Sequence, residues 1–247
     1  MKLIFAEKLA VCQASRIPVL WISTMEEKRV EAEIIADSKR KGQKVLAWSE
    51  TAAEGMPGWE ELTLGAMTLV NPDSGINLVT AISDLVETGK KPLEETDIEF
   101  DSILIVIFRD IHHQIRSNPA VIRILRDASF ALRSSMINIV CISPQEELHP
   151  DLVHDVELFS PGLPDKELIR FQVQQVLNQY SEEVDPDFIS KVTDACTGLT
   201  LLQTEDTISK SRAIKRKIDV DYINEIKTES VNSIPGLTYY GNIVDVN

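Results

Sequence analysis

"SILIVIFRDIHHQI", residues 102–115, decides how this chain is read: six apolar residues in a row, Ile103 to Phe108, run straight into Arg109, Asp110 and two histidines. A continuous apolar run of this length, bounded by charge, is the pattern of a strand buried on both faces of a parallel sheet. Nucleotide-hydrolysing α/β proteins hold magnesium with an acidic residue delivered at the carboxyl end of such a strand. The stretch therefore raises the question of where a phosphate-holding loop lies.

Working outward, similar runs recur at Ile17 to Ser23 (IPVLWIS), Lys44 to Ser49 (KVLAWS), Ile137 to Ser143 (INIVCIS, stopped by Pro144) and Val156 to Phe159 (stopped by SPGLP). Helical patterns lie between them. Glu26 to Lys41 places Val30, Ile34 and Ile35 along one face and ends at Gly42, a residue suited to the left-handed closing position. Ile76 to Thr88 follows an "NPDSG" turn, and residues 118–135 carry apolar side chains at Val121, Ile124, Leu125, Ala128 and Leu132. Between Glu54 and Gly75, Pro57, Gly58, Pro72 and Gly75 punctuate two short extended pieces that could form a hairpin, and "TGKKPLEETDIEFD" is a polar connection.

Apolar strands separated by helices predict a five-stranded parallel sheet with helices on both faces. Ile17 to Ser23, Ile103 to Phe108 and Ile137 to Cys141 are expected at its centre, the first and third against the opening stretch. After Pro164 the pattern becomes helix upon helix: Lys166 to Tyr180 capped by Asp165, residues 185–196 and 200–217 around Gly198, and Asp219 to Val231. The expected domains are an α/β domain over 1–163, a small all-helical domain over 164–232, and a tail or linker over 233–247.

With 43% hydrophobic and 26% charged residues over 247 positions, the chain can bury a substantial core. A net charge of −14 repels polyanions, which argues against nucleic acid or an anionic membrane as partner. No apolar run is long enough to span a bilayer, and no segment has the pattern of a secretory signal. Cys12, Cys141 and Cys196 have no paired spacing and read as buried structural thiols in a reducing compartment, the cytoplasm or the plastid stroma.

The phrases "SRIPVLWISTMEEKRVEAEI", "KVLAWSE", "ILIVIFRDIHHQI", "NIVCISPQEELHPDL", "LFSPGLPDKEL" and "GLTLLQTEDTISKSRA" occur in the order seen in one branch of the AAA+ ATPases. That branch, found in bacteria, cyanobacteria and algal plastids, places a degenerate AAA-like lobe before a working AAA motor. This chain resembles the leading lobe from about Ala14 to Tyr240 and holds no working motor; it is expected to be either the leading portion of a longer ATPase or a product that keeps only this lobe. The resemblance implies a P-loop or AAA-like sheet followed by a helical lid, with ATP and Mg²⁺ as the family's ligands and none needed by this chain alone.

Laid on the family pattern, the phosphate loop is where the departures begin. A working loop reads G-x-x-x-x-G-K-S/T, because glycines let successive amides turn toward phosphate while the lysine neutralises charge. The corresponding stretch here, "STMEEKRV", has no glycine, and Glu26 and Glu27 stand where amides should face a polyanion. Lys28 and Arg29 are most simply a solvated helix face. At the acidic strand end Arg109 falls on the magnesium-holding aspartate and Asp110 on the catalytic glutamate; a shift of one puts Asp110 on the metal position and Ile111 on the glutamate. Either register lacks one carboxylate, and a fixed cation at the metal position opposes Mg²⁺. Ser143 falls where a polar residue positions the attacking water, and is equally a turn residue before Pro144. No arginine lies between His149 and Lys166 to act as a finger.

The degenerate nucleotide site would thus comprise Thr24, Glu26, Glu27, Lys28, Arg109, Asp110 and Ser143, with no catalytic and no metal-ligating residue. His112 and His113, adjacent at a strand end, would point to opposite sides and read as ordinary polar residues. "SKSRAIKRK" packs five basic residues into nine positions, making Arg212, Lys215, Arg216 and Lys217 the partner-binding candidates; a solvated helix face is the plainer reading. The expected function is a non-catalytic AAA-like lobe with a structural or regulatory role, its partner an AAA motor domain, motor subunits or further copies of itself. Two alternatives stand beside it: an active ATP-binding enzyme with an unorthodox phosphate site, and a clamp-loader-like subunit associated with nucleic acid, which the acidity disfavours.

Overall fold

The computed structural model describes residues 5–53, 56–63, 66–69, 76–90, 103–145, 148–180 and 185–232. The "NPDSG" turn, most of the polar connection before Ile103 and the 233–247 tail lie outside them. The chain divides into two compact units, Met1–Pro161 and Gly162–Asn247.

The first unit runs α1 (Phe5–Ala14), β1 (Val19–Ser23), α2 (Glu27–Lys41), β2 (Lys44–Ala53), β3 (Met56–Thr63), β4 (Ala66–Leu69), α3 (Leu78–Lys90), β5 (Leu104–Arg109), α4 (His112–Ser117), α5 (Pro119–Ala131), β6 (Ile137–Ser143) and β7 (Glu157–Phe159). Its strands form one seven-stranded sheet in the order β4-β3-β2-β5-β6-β1-β7. The five apolar runs are all present and pair in parallel. The sheet is nevertheless mixed, because the punctuated stretch after Ser49 forms β3 and β4, which add antiparallel to the β2 edge. Five parallel strands was therefore an undercount: a short connection returns the chain antiparallel, and only the partner strand identifies such pieces as sheet.

Neighbour order also differs from expectation. β5 lies between β2 and β6, whereas β1 pairs with β6 and β7 and does not adjoin the opening stretch. Along β5, Leu104, Val106 and Phe108 face one core with α3 and α5, including Val19, Trp21, Trp48, Ile82, Val121 and Leu125. Ile105 and Ile107 face the other with α1 and α2, through Leu9, Val30, Ile34, Leu20, Ile22 and Ala47. Burying alternate residues on two faces explains the unbroken apolar reading, since each fully buried aliphatic side chain contributes about 1.5–3 kcal/mol. Phe108 packs against Trp48 and Trp59 at centroid distances of 5.9 and 5.7 Å. Gly42 ends α2 at φ 66°, with Gly42 N–H and Gln43 N–H donating to the Lys39 and Ser38 carbonyls. That conformation disfavours any Cβ.

Two helices had no counterpart in the sequence reading: α1, and the short α4 that follows β5 directly. Among the described residues the second unit forms helices and no strand, with α6 (Lys166–Gln179), α7 (Pro186–Cys196), α8 (Leu201–Lys215) and α9 (Val220–Asn232). It has its own core of Ile169, Val173, Val176, Leu177, Val192, Cys196, Ile208 and Ile223. Asp165 caps α6 by accepting the Leu168 N–H at 2.9 Å, and Thr200 and Gln203 form a reciprocal capping box on α8. Among the described residues no helix is long and apolar enough to cross a membrane.

Candidate functional site

The carboxyl end of the sheet brings together most of the residues singled out in the β1–α2 and β5 segments. Only Thr24, Met25 and Glu26 separate β1 from α2. Thr24 N–H donates to the Ser143 carbonyl at 2.8 Å, and Glu26 N–H donates to Thr24 Oγ1 at 3.0 Å, so this connection folds onto itself and onto β6. Glu26 occupies the N-cap position of α2 without a side-chain cap. Its carboxylate instead accepts from Arg29 Nε at 2.9 Å, and Arg29 Nη1 reaches Glu33 at 3.1 Å. The Glu26 and Arg29 side chains are only 8% and 9% exposed. Arg29 is thus not part of a solvated face; Lys28 is exposed as expected.

Arg109, the last residue of β5, turns toward the α2 side of the sheet. All three guanidinium nitrogens are engaged: Nε and Nη2 with the two Glu31 oxygens at 2.6 and 3.3 Å, and Nη1 with Glu60 at 2.8 Å. The three side chains are 12–14% exposed. Strand pairing makes this reach across β2 attainable. β3 alternates Trp59 into one core and Glu60 to the opposite face, and on that face β2 presents the small residues Ala47 and Ser49. Burial pulls the Arg109 guanidinium down, but the hydrogen bonds and charge of Glu31, then Glu60, outweigh it and hold the group above its ordinary value. Glu27 is half-buried, and that burial, then the charge of Glu31, raises its carboxyl above the usual range against the opposing pull of Arg109. Three of the five N–H donors of the guanidinium are thus taken by two carboxylates, and the Glu31 and Glu60 carboxylates are in turn occupied by a fixed cation.

Asp110 follows with φ 53°, a left-handed conformation that costs a non-glycine residue. Its N–H donates to the Ile142 carbonyl at 3.0 Å, and its carboxylate is 60% exposed, 3.8 Å from His112 Nδ1. Ser143 is buried, and its Oγ accepts the Gln145 N–H at 3.2 Å, the turn-residue role. His112 and His113 do not lie at a strand end; they open α4, with ring centroids 3.9 Å apart. Burial, then the charge of His113, lowers the His112 imidazole below its ordinary value. Among the described residues no group of three acidic, histidine or cysteine side chains could hold a metal ion. All three cysteines are buried free thiols, and burial pushes Cys196 up to about 12.

In the second unit, the basic stretch is partly used internally. Arg212 is half-buried with its guanidinium over the Tyr180 ring at 4.5 Å, against the expectation of full exposure. Lys215 lies over the Tyr222 ring at 4.8 Å, and Lys217 is 3.3 Å from Asp219. Arg216 is exposed at the C-cap of α8 with φ 62°. Sequence reasoning missed Glu31 and Glu60 altogether. The spacing of Glu27 and Glu31 on one helix face hinted at an acidic patch, but nothing local indicates that Glu60, 49 residues before Arg109, completes it.

A family model described as SpoVK-like AAA ATPase, N-terminal domain, matches residues 5–160. The uncharacterized AAA domain-containing protein ycf46 of Trieres chinensis is 22% identical over 227 residues, which cover 91% of this chain and 41% of the relative. The chain therefore spans about two fifths of that relative's length. Among solved structures, the E. coli MS115-1 HORMA:CdnC:Trip13 complex contains a chain that aligns at a TM-score of 0.53 and 13% identity, covering 94% of this chain and 80% of its own. C. elegans PCH-2 aligns at a TM-score of 0.52 and 11% identity, covering 92% and 67%. At these identities the structural likeness is one of fold.

Proposed function

The chain belongs to the SpoVK-like AAA ATPase N-terminal domain family, and from that premise we propose that it is a non-catalytic AAA-like lobe with a structural or regulatory role in an AAA+ assembly. The observation that carries this reading is the Glu31–Arg109–Glu60 cluster. A working site needs an unpaired acidic group at the end of β5 for Mg²⁺ and free amides at the start of α2 for phosphate. In the register that puts Arg109 on the metal position an internal cation stands there, and in the other register the glutamate position is Ile111. In either, the buried Glu26–Arg29 pair lies in the turn that corresponds to the phosphate loop. ATP and Mg²⁺ are accordingly ligands of a partner motor rather than of this lobe.

A lobe without catalytic parts acts through contacts. Exposed apolar side chains in the helical unit, Leu168, Phe171 and Leu202, support a docking role, as do exposed Lys215, Arg216 and Lys217 on an acidic chain. The partner in this reading is an AAA motor domain or subunit, or another copy of the chain; the Trip13-fold protein solved with HORMA and CdnC is a same-fold case of partnered assembly.

Steady-state phosphate release by the purified chain, with ATP and Mg²⁺, tests the reading. The expected result is no release above background and no shift in melting temperature with nucleotide. Release that disappears in Asp110→Ala replaces the proposal with the enzyme alternative. Charge reversal at Lys215 and Arg216 is expected to weaken protein association at low salt; loss of tight, steeply salt-dependent DNA or RNA binding in the same variant would instead favour the nucleic-acid alternative.

A further inference from the structure

We propose that a cavity at the amino-terminal ends of the strands binds the phosphate group of a small molecule, held by Arg16, Arg133 and Gln13. The cavity, about 240 Å³, opens in the first unit between the end of α1, the starts of β5 and β6, and the 3-10 turn that follows α5. It lies at the opposite end of the sheet from Arg109 and Asp110. Its lining includes Gln13, Arg16, Arg133, Ser134, Ser135 and Asn138, and no acidic residue is among the described residues that line it. Two arginines thus line one cavity with no carboxylate in its described lining, in a chain of net charge −14.

Three features mark it as more than a surface hollow. Gln13 Nε2 is buried and has no hydrogen-bond partner in the protein, a donor whose desolvation an oxyanion would offset. Arg16 holds φ 54° at the position that closes α1. Its N–H donates to the Gln13 carbonyl at 3.1 Å and the Ile17 N–H to the Cys12 carbonyl at 2.9 Å, the paired closure that ordinarily takes glycine. An arginine there is tolerated at a conformational cost, and Arg16 is one of the residues that line the cavity. Arg133 is held by Nε donating to the Ser129 carbonyl at 3.2 Å, which leaves its terminal nitrogens free to converge on an anion.

The turn that carries Arg133 is tied down by its own hydrogen bonds. Ser135 Oγ donates to the Leu132 carbonyl at 3.0 Å and accepts the Ile137 N–H at 3.1 Å. A Cβ at Gly89 of α3 would collide with Leu132 Cδ2, so the turn packs on α3 without slack. Two cations with neutral amide and hydroxyl donors match a dianion, and arginine forks suit tetrahedral phosphate oxygens. At about 30 Å³ per water the volume exceeds what a phosphate fills, leaving room for a few further heavy atoms. The group recognised is therefore phosphate, free or as a small monoester.

Isothermal titration of the full chain with inorganic phosphate, glycerol 3-phosphate and succinate, at constant ionic strength, tests the site. Saturable one-to-one binding of phosphate groups is expected, weakened at least about tenfold in Arg133→Gln, the value of one charge-assisted hydrogen bond. Arg16→Gly should weaken binding comparably while melting no lower than the parent, because glycine suits that backbone. Tighter binding of glycerol 3-phosphate than of inorganic phosphate assigns a monoester, and equal binding assigns the free ion. Failure to saturate with either phosphate, succinate binding as tightly, or affinity unchanged in Arg16→Gly overturns the proposal. None of these outcomes bears on whether the opposite end of the sheet hydrolyses ATP.

Discussion

At the carboxyl end of the sheet Arg109 is gripped on all three nitrogens by two carboxylates, whereas at the amino end Arg16 and Arg133 line a cavity with no acid in its described lining. The chemical group is the same and the acidic background is the same. What differs is whether the fold supplies the counter-charge. A guanidinium buried with its own carboxylates becomes a structural strut, closed to ligands, and one left facing a cavity keeps its affinity for an outside anion. The carboxyl end of the sheet is thus the one whose arginine the fold neutralises, and the amino end is the one whose described lining holds arginines without an acid.

The largest effect that can break this contrast comes from removing the strut. Arg109→Leu leaves Glu31 and Glu60 facing each other in a nearly buried site, and urea unfolding is expected to show a loss of about 3 kcal/mol. Combining it with Glu31→Gln and Glu60→Gln should recover more than half of that loss, since the penalty is the uncompensated charge rather than the missing contact. A loss below about 0.5 kcal/mol, ordinary for a surface pair, would mean that Arg109 is not a strut at all.

At the open end the sign reverses. Arg16→Gly is expected to stabilise by about 0.5–1 kcal/mol, because relief of the left-handed φ exceeds the entropy glycine adds to the unfolded chain; a destabilised variant would show that Arg16 contributes to the fold. A smaller gain, on the order of 0.5 kcal/mol after solvent screening, is expected for Glu27→Gln near neutral pH. The folded state holds the Glu27 proton more tightly than the unfolded chain, so its contribution is lost as pH rises through the raised folded value. The advantage of Glu27→Gln should therefore grow as pH rises above the ordinary carboxylate range and vanish below it, as thermal melts across pH would show. Smallest of all, Arg133→Gln should change stability by less than about 0.5 kcal/mol, since its Nε bond goes to a backbone carbonyl at an exposed site. A loss comparable to that of Arg109→Leu would erase the distinction between the two ends.

Much of the scaffold was legible because the signals are local. Strands buried on both faces read as nearly continuous apolar runs, and β1, β5 and β6 do so up to Ser23, Arg109 and Ser143 at their carboxyl ends, with Asn138 the one polar residue inside β6. Helix ends announce themselves by residue type, as at Gly42 and Asp165. The β3–β4 addition was only partly legible, since its residues mix Trp59 with Glu60 and Glu61 and their pairing depends on β2. α4 was hidden because residues after a strand carry no sign of where the backbone turns, and so His112 and His113 were placed on the wrong kind of element.

By itself the sequence determined the alternation of strand and helix, the change to an all-helical second part after Pro164, and the absence of glycine from the β1–α2 turn. Each of these is a property of neighbours along the chain, set by periodicity, backbone preference and the chemistry of a few adjacent residues. Tertiary structure alone decided that Arg109 meets Glu31 and Glu60, 78 and 49 residues away, and that Arg16 shares a cavity with Arg133. Charge pairing acts through space over a few ångströms, so which arginine is neutralised and which stays open depends on strand order and register, and these exist only once the sheet has closed.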